Sequence, residues 1–178
     1  MIKEKIEKIM DVMNEIEYGF KDEEGNNIID NNPKKWDNEF DSFYYLQSPD
    51  ELLKTKCGVC WDQVELERFL FSKNEIHSKT FFIYILDGDM LPSHTFLTYE
   101  NDNKYYWFEH SWKKYKGIHE YNTESQLLLD IINKFRNDHK EVSKNASLYL
   151  YEYQKPKEHI KCNEFYKYVE TQNKIEFN

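Results

Sequence analysis

The chain has 178 residues, 39% of them hydrophobic and 17% aromatic, with 14 Tyr, 12 Phe and 4 Trp against only 5 Gly and 4 Pro. A polymer of this size buries a core without metal or disulfide staples, and so aromatic a composition excludes a disordered or low-complexity chain. The formal charge of −9 leaves no basic surplus of the kind that non-specific nucleic-acid binding or adhesion to an anionic membrane requires.

No stretch approaches the ~18 apolar residues of a spanning helix. The opening Met1-Ile2-Lys3-Glu4-Lys5-Ile6 alternates charge with apolar side chains, unlike the unbroken apolar run of a signal peptide. Three cysteines are an odd count that does not build a disulfide framework, so a reducing, cytoplasmic setting is expected.

Along the chain, Ile2, Ile6, Ile9, Met13 and Ile16 recur at spacings of three and four, which predicts a helix laid on its own domain. Glu23-Glu24-Gly25-Asn26-Asn27 and Asp30-Asn31-Asn32-Pro33 carry turn chemistry. An aromatic stretch of no clean period follows, with Trp36, Phe40, Phe43, Tyr44, Tyr45 and Leu46. Residues 51–56 are polar and helix-like. Residues 60–71 read as a helix whose apolar residues (Trp61, Val64, Leu66, Phe69, Leu70, Phe71) fall on several sides of the wheel, the mark of a buried, central element. Residues 80–86 form a strand buried on both faces, closed by Asp87-Gly88-Asp89.

Two strand-like runs, 94–99 and 104–110, flank Glu100-Asn101-Asp102-Asn103 and predict a hairpin. Thr123-Glu124-Ser125-Gln126 has the spacing of a capping box ahead of a helix with Leu127, Leu128, Ile131 and Phe135 on its apolar face. Residues 146–153 alternate as a strand. Cys162, Phe165, Tyr166 and Val169 trace a closing amphipathic helix. With no internal repeat and no linker, residues 1–178 read as one α+β domain.

The chemistry concentrates in Lys56-Cys57-Gly58-Val59-Cys60-Trp61-Asp62-Gln63. Gly58 is expected to let the chain turn sharply, placing Cys60 on the first turn of the buried helix. Unpaired backbone N–H groups and the positive end of the helix dipole there favour a thiolate, and the same N–H groups suit the oxyanion of acyl transfer. Asp62 in that turn stabilises the helix but opposes the thiolate, so a cationic partner is needed. His94, opening a strand after Leu91-Pro92-Ser93, is the candidate. Glu109 is the candidate for the carboxylate that fixes the imidazole tautomer.

Hairpin register decides whether His94 and Glu109 meet. A two-residue turn at Asn101-Asp102 puts them directly opposite, and one at Asp102-Asn103 makes them diagonal neighbours on one face. A three-residue loop separates them onto opposite faces. Two-residue loops are the commonest hairpin connections, which favours the convergent arrangements.

At these residues the sequence resembles the transglutaminase-like superfamily of papain-fold enzymes. The match is Gly58-Val59-Cys60-Trp61 at a helix start, then His94 opening a strand, then an acid on the next strand, over about residues 46–112. The resemblance implies a papain-like α+β core, a central Cys-bearing helix on an antiparallel sheet; the N- and C-terminal helices read from periodicity are additions to that core. It also implies thiol-based acyl transfer on the amide of a protein or peptide (hydrolysis, deamidation or cross-linking) with no metal or organic cofactor. The family's third residue is usually Asp, and here it is Glu109.

Other readings of the same residues compete. Cys60 could be a buried structural thiol on an inert binding module of this fold. Cys57 and Cys60 form Cys-x-x-Cys, the motif of thiol–disulfide exchange, but without the preceding buried strand of a βαβ unit. A zinc site would need a second ligand pair, and His159 with Cys162 is better explained by Cys162 belonging to an apolar helix face. His110 is the rival base, expected to point away from Glu109's face. His77, His119 and His139 read as surface residues, acidic runs such as Asp22-Glu23-Glu24 as a solvated face, and Gln47 as an unplaced side-chain oxyanion donor.

Overall fold

A computed structural model describes residues 1–22, 24–31 and 40–177. The Asn32-Pro33 turn, Trp36 and Glu23 lie outside the described residues. Residues Ile2–Met13 form α1, which buries Ile6, Ile9 and Met13, with Ile16 just beyond its end. These side chains pack with Leu66, Phe71, Leu97 and Phe108, so the apolar stripe read from the sequence is the seam along which α1 covers the central helix. Strand β1, Glu17–Tyr18, follows. Ile28–Asn31 form a short helix, α2, where turn chemistry alone was expected. The Asn27 side chain accepts the Ile29 N–H at 3.2 Å, so the residue read as turn-forming starts the helix.

Ser48 caps α3, Pro49–Thr55, through a reciprocal pair with Glu51. Lys56 ends that helix in the left-handed conformation (φ 54°). Strand β2, Cys57–Gly58, then pairs in parallel with β1, Glu17 with Cys57 and Tyr18 with Gly58. The sharp turn therefore falls at Lys56, not at Gly58. The absence of a side chain at Gly58 serves close approach instead. A Cβ there would meet Leu52 Cδ1 at 2.6 Å and Asp62 Cβ at 2.8 Å, inside contact distance.

The central helix α4, Cys60–Lys73, buries every residue from Cys60 to Glu67, as its all-round pattern predicts. Burying Asp62, Gln63, Glu65 and Glu67 requires partners. Glu65, for one, pairs with Arg68 through two N–H···O contacts of 3.1 and 3.3 Å. Around α4 runs an antiparallel sheet of order β6-β5-β4-β3-β7-β8. Its strands are β3 (Ser78–Leu86), β4 (Ser93–Asn101), β5 (Lys104–Glu109), β6 (Gly117–Tyr121), β7 (Ser147–Tyr153) and β8 (Asn173–Lys174). Strand β6 was not foreseen in the sequence.

Strand β3 is buried on both faces as predicted. Phe82 and Tyr84 pack with Trp61 and Phe165, whereas Phe81, Ile83 and Ile85 pack with Leu127, Ile131 and Phe135. The latter belong to α5, Glu124–Asp138, capped by the Thr123 hydroxyl. Phe165 belongs to α6, Cys162–Val169. The result is an α+β fold in which helices cover both faces of an antiparallel sheet. Among the described residues no helix is long and apolar enough to cross a membrane.

Candidate active site

Cys60 is the first residue of α4, with Val59 in extended conformation as N-cap. The Val59 N–H is taken by Asp62 Oδ2 at 2.8 Å. Among the described residues no hydrogen bond to the backbone N–H of Cys60 or Trp61 is formed, as expected of a helix start without a side-chain cap. Asp62 is buried and holds the helix entry together: its Oδ1 accepts from the Gln47 N–H at 2.8 Å and the Tyr44 hydroxyl at 3.1 Å. Burial outweighs these bonds and pushes its carboxyl up to about 7, which blunts the opposition to a thiolate expected from its position.

The hairpin resolves into the diagonal register. Asn101 pairs with Lys104 and Leu97 with Phe108, leaving Asp102 and Asn103 as a two-residue turn, both with positive φ (50° and 57°). That is the turn whose twist suits a hairpin, and Asp and Asn tolerate it better than most residues. Continued past Phe108, the register sets Glu109 opposite Phe96, so that His94 and Glu109 share a face. His94 Nε2 lies 2.8 Å from Glu109 Oε2, with both residues buried.

Glu109 is clasped from four directions. Oε2 also receives the Trp107 indole N–H at 3.1 Å, and Oε1 receives the Ser111 hydroxyl at 3.2 Å and the Trp112 N–H at 2.8 Å. This clasp is how a side chain one methylene longer than Asp is accommodated: it is folded back by the 109–112 corner. The Trp112 ring stands edge-on to His94 at 5.1 Å and shields the pair from water. Nε2 being engaged with Glu109, the remaining ring nitrogen Nδ1 is left without a partner among the described residues, and Cys60 is near enough to act on the ring's charge. Burial opposes a charged ring, but the Glu109 charge, its hydrogen bond and the influence of Cys60 prevail and push His94 up to about 10. Glu109 is held below the ordinary carboxylate range, its burial overcome by His94 and the clasp. Of the three side chains named from the sequence, His94 and Glu109 are thus in direct contact, and Cys60 is near enough to influence the charge on His94.

Tyr18 is a fourth participant that the sequence did not single out. The parallel pairing of β1 with β2 carries it to the start of α4, where Cys60 is among the groups that act on its phenol. The residue as a whole is 36% exposed, while burial of the hydroxyl and the charges of Cys60, Asp62 and Glu109 push its pKa far up. No local pattern announces it, since two residues are too few to show a strand's alternation.

A cleft of about 720 Å³ opens over Cys60, lined by Tyr18, Phe40, Val59, Trp61, Leu91 and Ser93, with Asp41 and Glu141 as its charges. It continues across Trp61 into a second hollow of about 560 Å³ against Cys162 and Tyr166 of α6. Gln47 is committed elsewhere: its Nε2 donates to the Cys57 carbonyl at 2.9 Å and its Oε1 accepts from Thr55. His110 faces away from the His94–Glu109 pair and bonds Gln63 Oε1 at 2.7 Å. His159 pairs with Glu51, whereas Cys162 lies in the cluster around Trp61. His119 is half-buried and stacks on Trp107 at 4.7 Å, so it is a packing residue more than a surface one. Among the described residues no group of three or more His, Cys, Asp or Glu is placed to hold a metal ion.

No curated protein matches the chain. A family model described as a transglutaminase-like domain matches residues 2–137, extending the likeness well beyond the 46–112 stretch that carried it. Over three-quarters of its length, and with a cysteine-bearing helix packed on an antiparallel sheet, the chain belongs to the transglutaminase-like domain family.

Proposed function

We propose that the protein is a thiol-dependent acyl-transfer enzyme acting on an amide of a protein or peptide. The observation that carries this reading is the His94 ring, held at 2.8 Å by the buried Glu109 carboxylate on one nitrogen and raised in pKa by that carboxylate and by the neighbouring Cys60. An imidazole kept protonated at neutral pH beside a thiol supports a thiolate–imidazolium pair, the activated form of a cysteine nucleophile.

In this reaction the Cys60 sulfur attacks the amide carbonyl, forming the S–C bond and moving the π electrons onto oxygen. The free N–H groups at the start of α4 receive that oxyanion. As it collapses the C–N bond breaks, and the leaving amine takes the proton from His94. Water or an amine then attacks the thioester while His94 accepts the proton, and sulfur departs as thiolate. Glu109, which touches neither sulfur nor substrate, is a positioning residue that fixes the ring and its charge. The open, largely apolar cleft beside Cys60 suits an extended peptide.

The test is differential reactivity. A stoichiometric alkylating reagent at pH 7 is expected to label Cys60 well ahead of Cys57 and Cys162. A chromogenic ester such as p-nitrophenyl acetate should give a burst of one equivalent, abolished in Cys60→Ser and retained in Cys57→Ser. Equal, slow labelling of all three thiols would reduce the fold to a binding module. Loss of activity in Cys57→Ser together with a reversible Cys57–Cys60 disulfide would make it a dithiol oxidoreductase.

A further inference from the structure

Beyond Trp61 the cleft over Cys60 opens into the hollow of about 560 Å³, whose walls have the make-up of a cation pocket. Phe40, Trp61 and Tyr166 line it, with Asp41 and Glu170 as anions and Lys167 opposing them. The rings stand across one another: Phe40 is tilted 64° to Trp61 at 6.4 Å, and Tyr166 76° at 5.9 Å. Trp61 is also stacked on Phe165 at 4.5 Å, which holds the wall in place. The face of an aromatic ring attracts a cation. Elsewhere the chain satisfies such rings itself, with Arg68 over Tyr153 and Lys161 over Tyr45, but among the described residues none of its cations lies over Trp61 or Tyr166. Asp41 and Glu170 are exposed and form no ion pair among the described residues, although Glu170 Oε1 accepts the Tyr84 hydroxyl at 3.2 Å.

Two further observations point to a peptide as the occupant. Trp61 is 4% exposed, and its indole N–H is buried with no hydrogen-bond partner. An unmet buried donor costs free energy, which an occupant bringing a carbonyl to this ring relieves. The hollow is also continuous with the cleft that holds Cys60, since Phe40, Asp41, Trp61, Leu91 and Ser93 line both. At the rim of that cleft Met90 and Leu91 are 42% and 39% exposed, an apolar edge for a bound chain to pack against. An extended peptide supplies a carbonyl, apolar contact and a cationic side chain at once. A free amine or a metal ion supplies only the charge.

We propose that this hollow is a specificity pocket for an arginine side chain, so that the substrate is a protein or peptide segment carrying arginine beside the amide that reacts at Cys60. The assignment rests on the reading of Cys60 as the acyl-forming nucleophile. Arginine suits the pocket better than lysine for two reasons. Its guanidinium is planar and weakly hydrated, so it leaves water for aromatic walls at less cost, and its fork of N–H donors matches carboxylates such as Asp41 and Glu170. The guanidinium keeps its proton at neutral pH and takes no part in bond making. The pocket therefore selects which amide is presented to the sulfur, independently of whether water or an amine later resolves the thioester.

The experiment uses the full chain and two alkylating reagents, bromoacetyl-arginine amide and bromoacetyl-citrulline amide, which match in shape and differ in one charge. With either, the Cys60 sulfur forms an S–C bond and bromide leaves, and the labelled cysteine is identified by peptide mass. At neutral pH and low salt the arginine reagent is expected to label Cys60 about tenfold faster, equivalent to about 1.4 kcal/mol. That ratio should fall toward one in about 1 M sodium chloride, where charges are screened beyond about 3 Å. It should fall likewise in Asp41→Asn/Glu170→Gln, altered only at exposed side chains. Acetyl-arginine amide should protect Cys60 from iodoacetamide, whereas acetyl-citrulline amide should not. Agmatine, a guanidinium without peptide carbonyls, should protect far less. If the two reagents label Cys60 equally while iodoacetamide still prefers it to Cys57 and Cys162, the pocket is overturned and the thiol enzyme stands. Protection by agmatine as strong as by acetyl-arginine amide overturns the peptide in favour of a free guanidinium compound. Should no reagent prefer Cys60, the nucleophile reading fails, and the assignment of the hollow fails with it.

Discussion

Replacing Glu109 by Gln removes one charge and changes almost no volume, so its effect isolates what the carboxylate does. Burial alone would drive the His94 ring below its ordinary value of 6.5, yet the ring sits at about 10 because Glu109 and Cys60 outweigh burial. With the charge gone, only the sulfur remains to oppose desolvation, and the ring should titrate well below about 10. Each pH unit of that fall is about 1.4 kcal/mol of lost preference for the charged ring. The amide also serves the clasp badly. Four donors converge on two carboxylate oxygens, and an amide offers one oxygen, leaving buried N–H groups facing an NH₂ at about 1–3 kcal/mol per unmet group.

A histidine-selective NMR titration should move the His94 midpoint accordingly, and alkylation of Cys60 at pH 8 should slow as the imidazolium disappears. The stability curve gives an independent check. A ring whose folded pKa exceeds its unfolded value stabilises the fold fully below about 6.5, and this contribution is lost as pH rises toward 10. The wild-type chain should therefore lose stability over that window and Glu109→Gln should not. An unchanged His94 midpoint in the variant would refute the charge argument, whatever the activity did.

Other variants test the frame around the pair. Gly58→Ala should destabilise the fold by about 1–3 kcal/mol in urea unfolding, the range for overpacking, because the added methyl meets Leu52 and Asp62 within 2.8 Å. Glu67 is buried with Oε2 unpartnered. Burial first, and the Glu109 charge after it, hold its pKa well above 4.5, so the fold keeps a proton that the unfolded chain sheds and loses stability as pH rises past that value. Glu67→Gln should accordingly raise the melting temperature at pH 8 and change it little at pH 4. Arg68→Ala leaves Glu65, 4% exposed at its side chain, without its cation. A loss of about 3–5 kcal/mol is expected in urea unfolding, and a loss under 1 kcal/mol would show that Glu65 simply takes up a proton.

Much of this site was legible in the sequence because its geometry follows from short-range rules. A strand–turn–strand pattern allows few registers, and Asp102-Asn103 can adopt the positive φ values of a two-residue turn. That fixes which strand residues share a face, and hence His94 with Glu109. The all-round apolar helix from Cys60 was likewise readable from its own period. What escaped depended on distant chain or on ambiguous letters. Gly58 reads equally as a turn or as close approach, because glycine serves both through the same missing Cβ, and only the positions of Leu52 and Asp62 decide between them. Tyr18 reaches Cys60 through a parallel pairing of two residues with two, across some forty positions of chain, for which no local signal exists. Asp62 looked like an ordinary first-turn acid, and its burial among Tyr44, Gln47 and Val59 depends on a segment with no clean periodicity. The pattern is physical: covalent neighbours fix which side chains share a face, whereas the electrostatics of the sulfur are set by groups that only the tertiary fold brings near. Motif matching alone would therefore find Cys60, His94 and Glu109 but miss Tyr18 and the buried Asp62, whose charges act on the same spot.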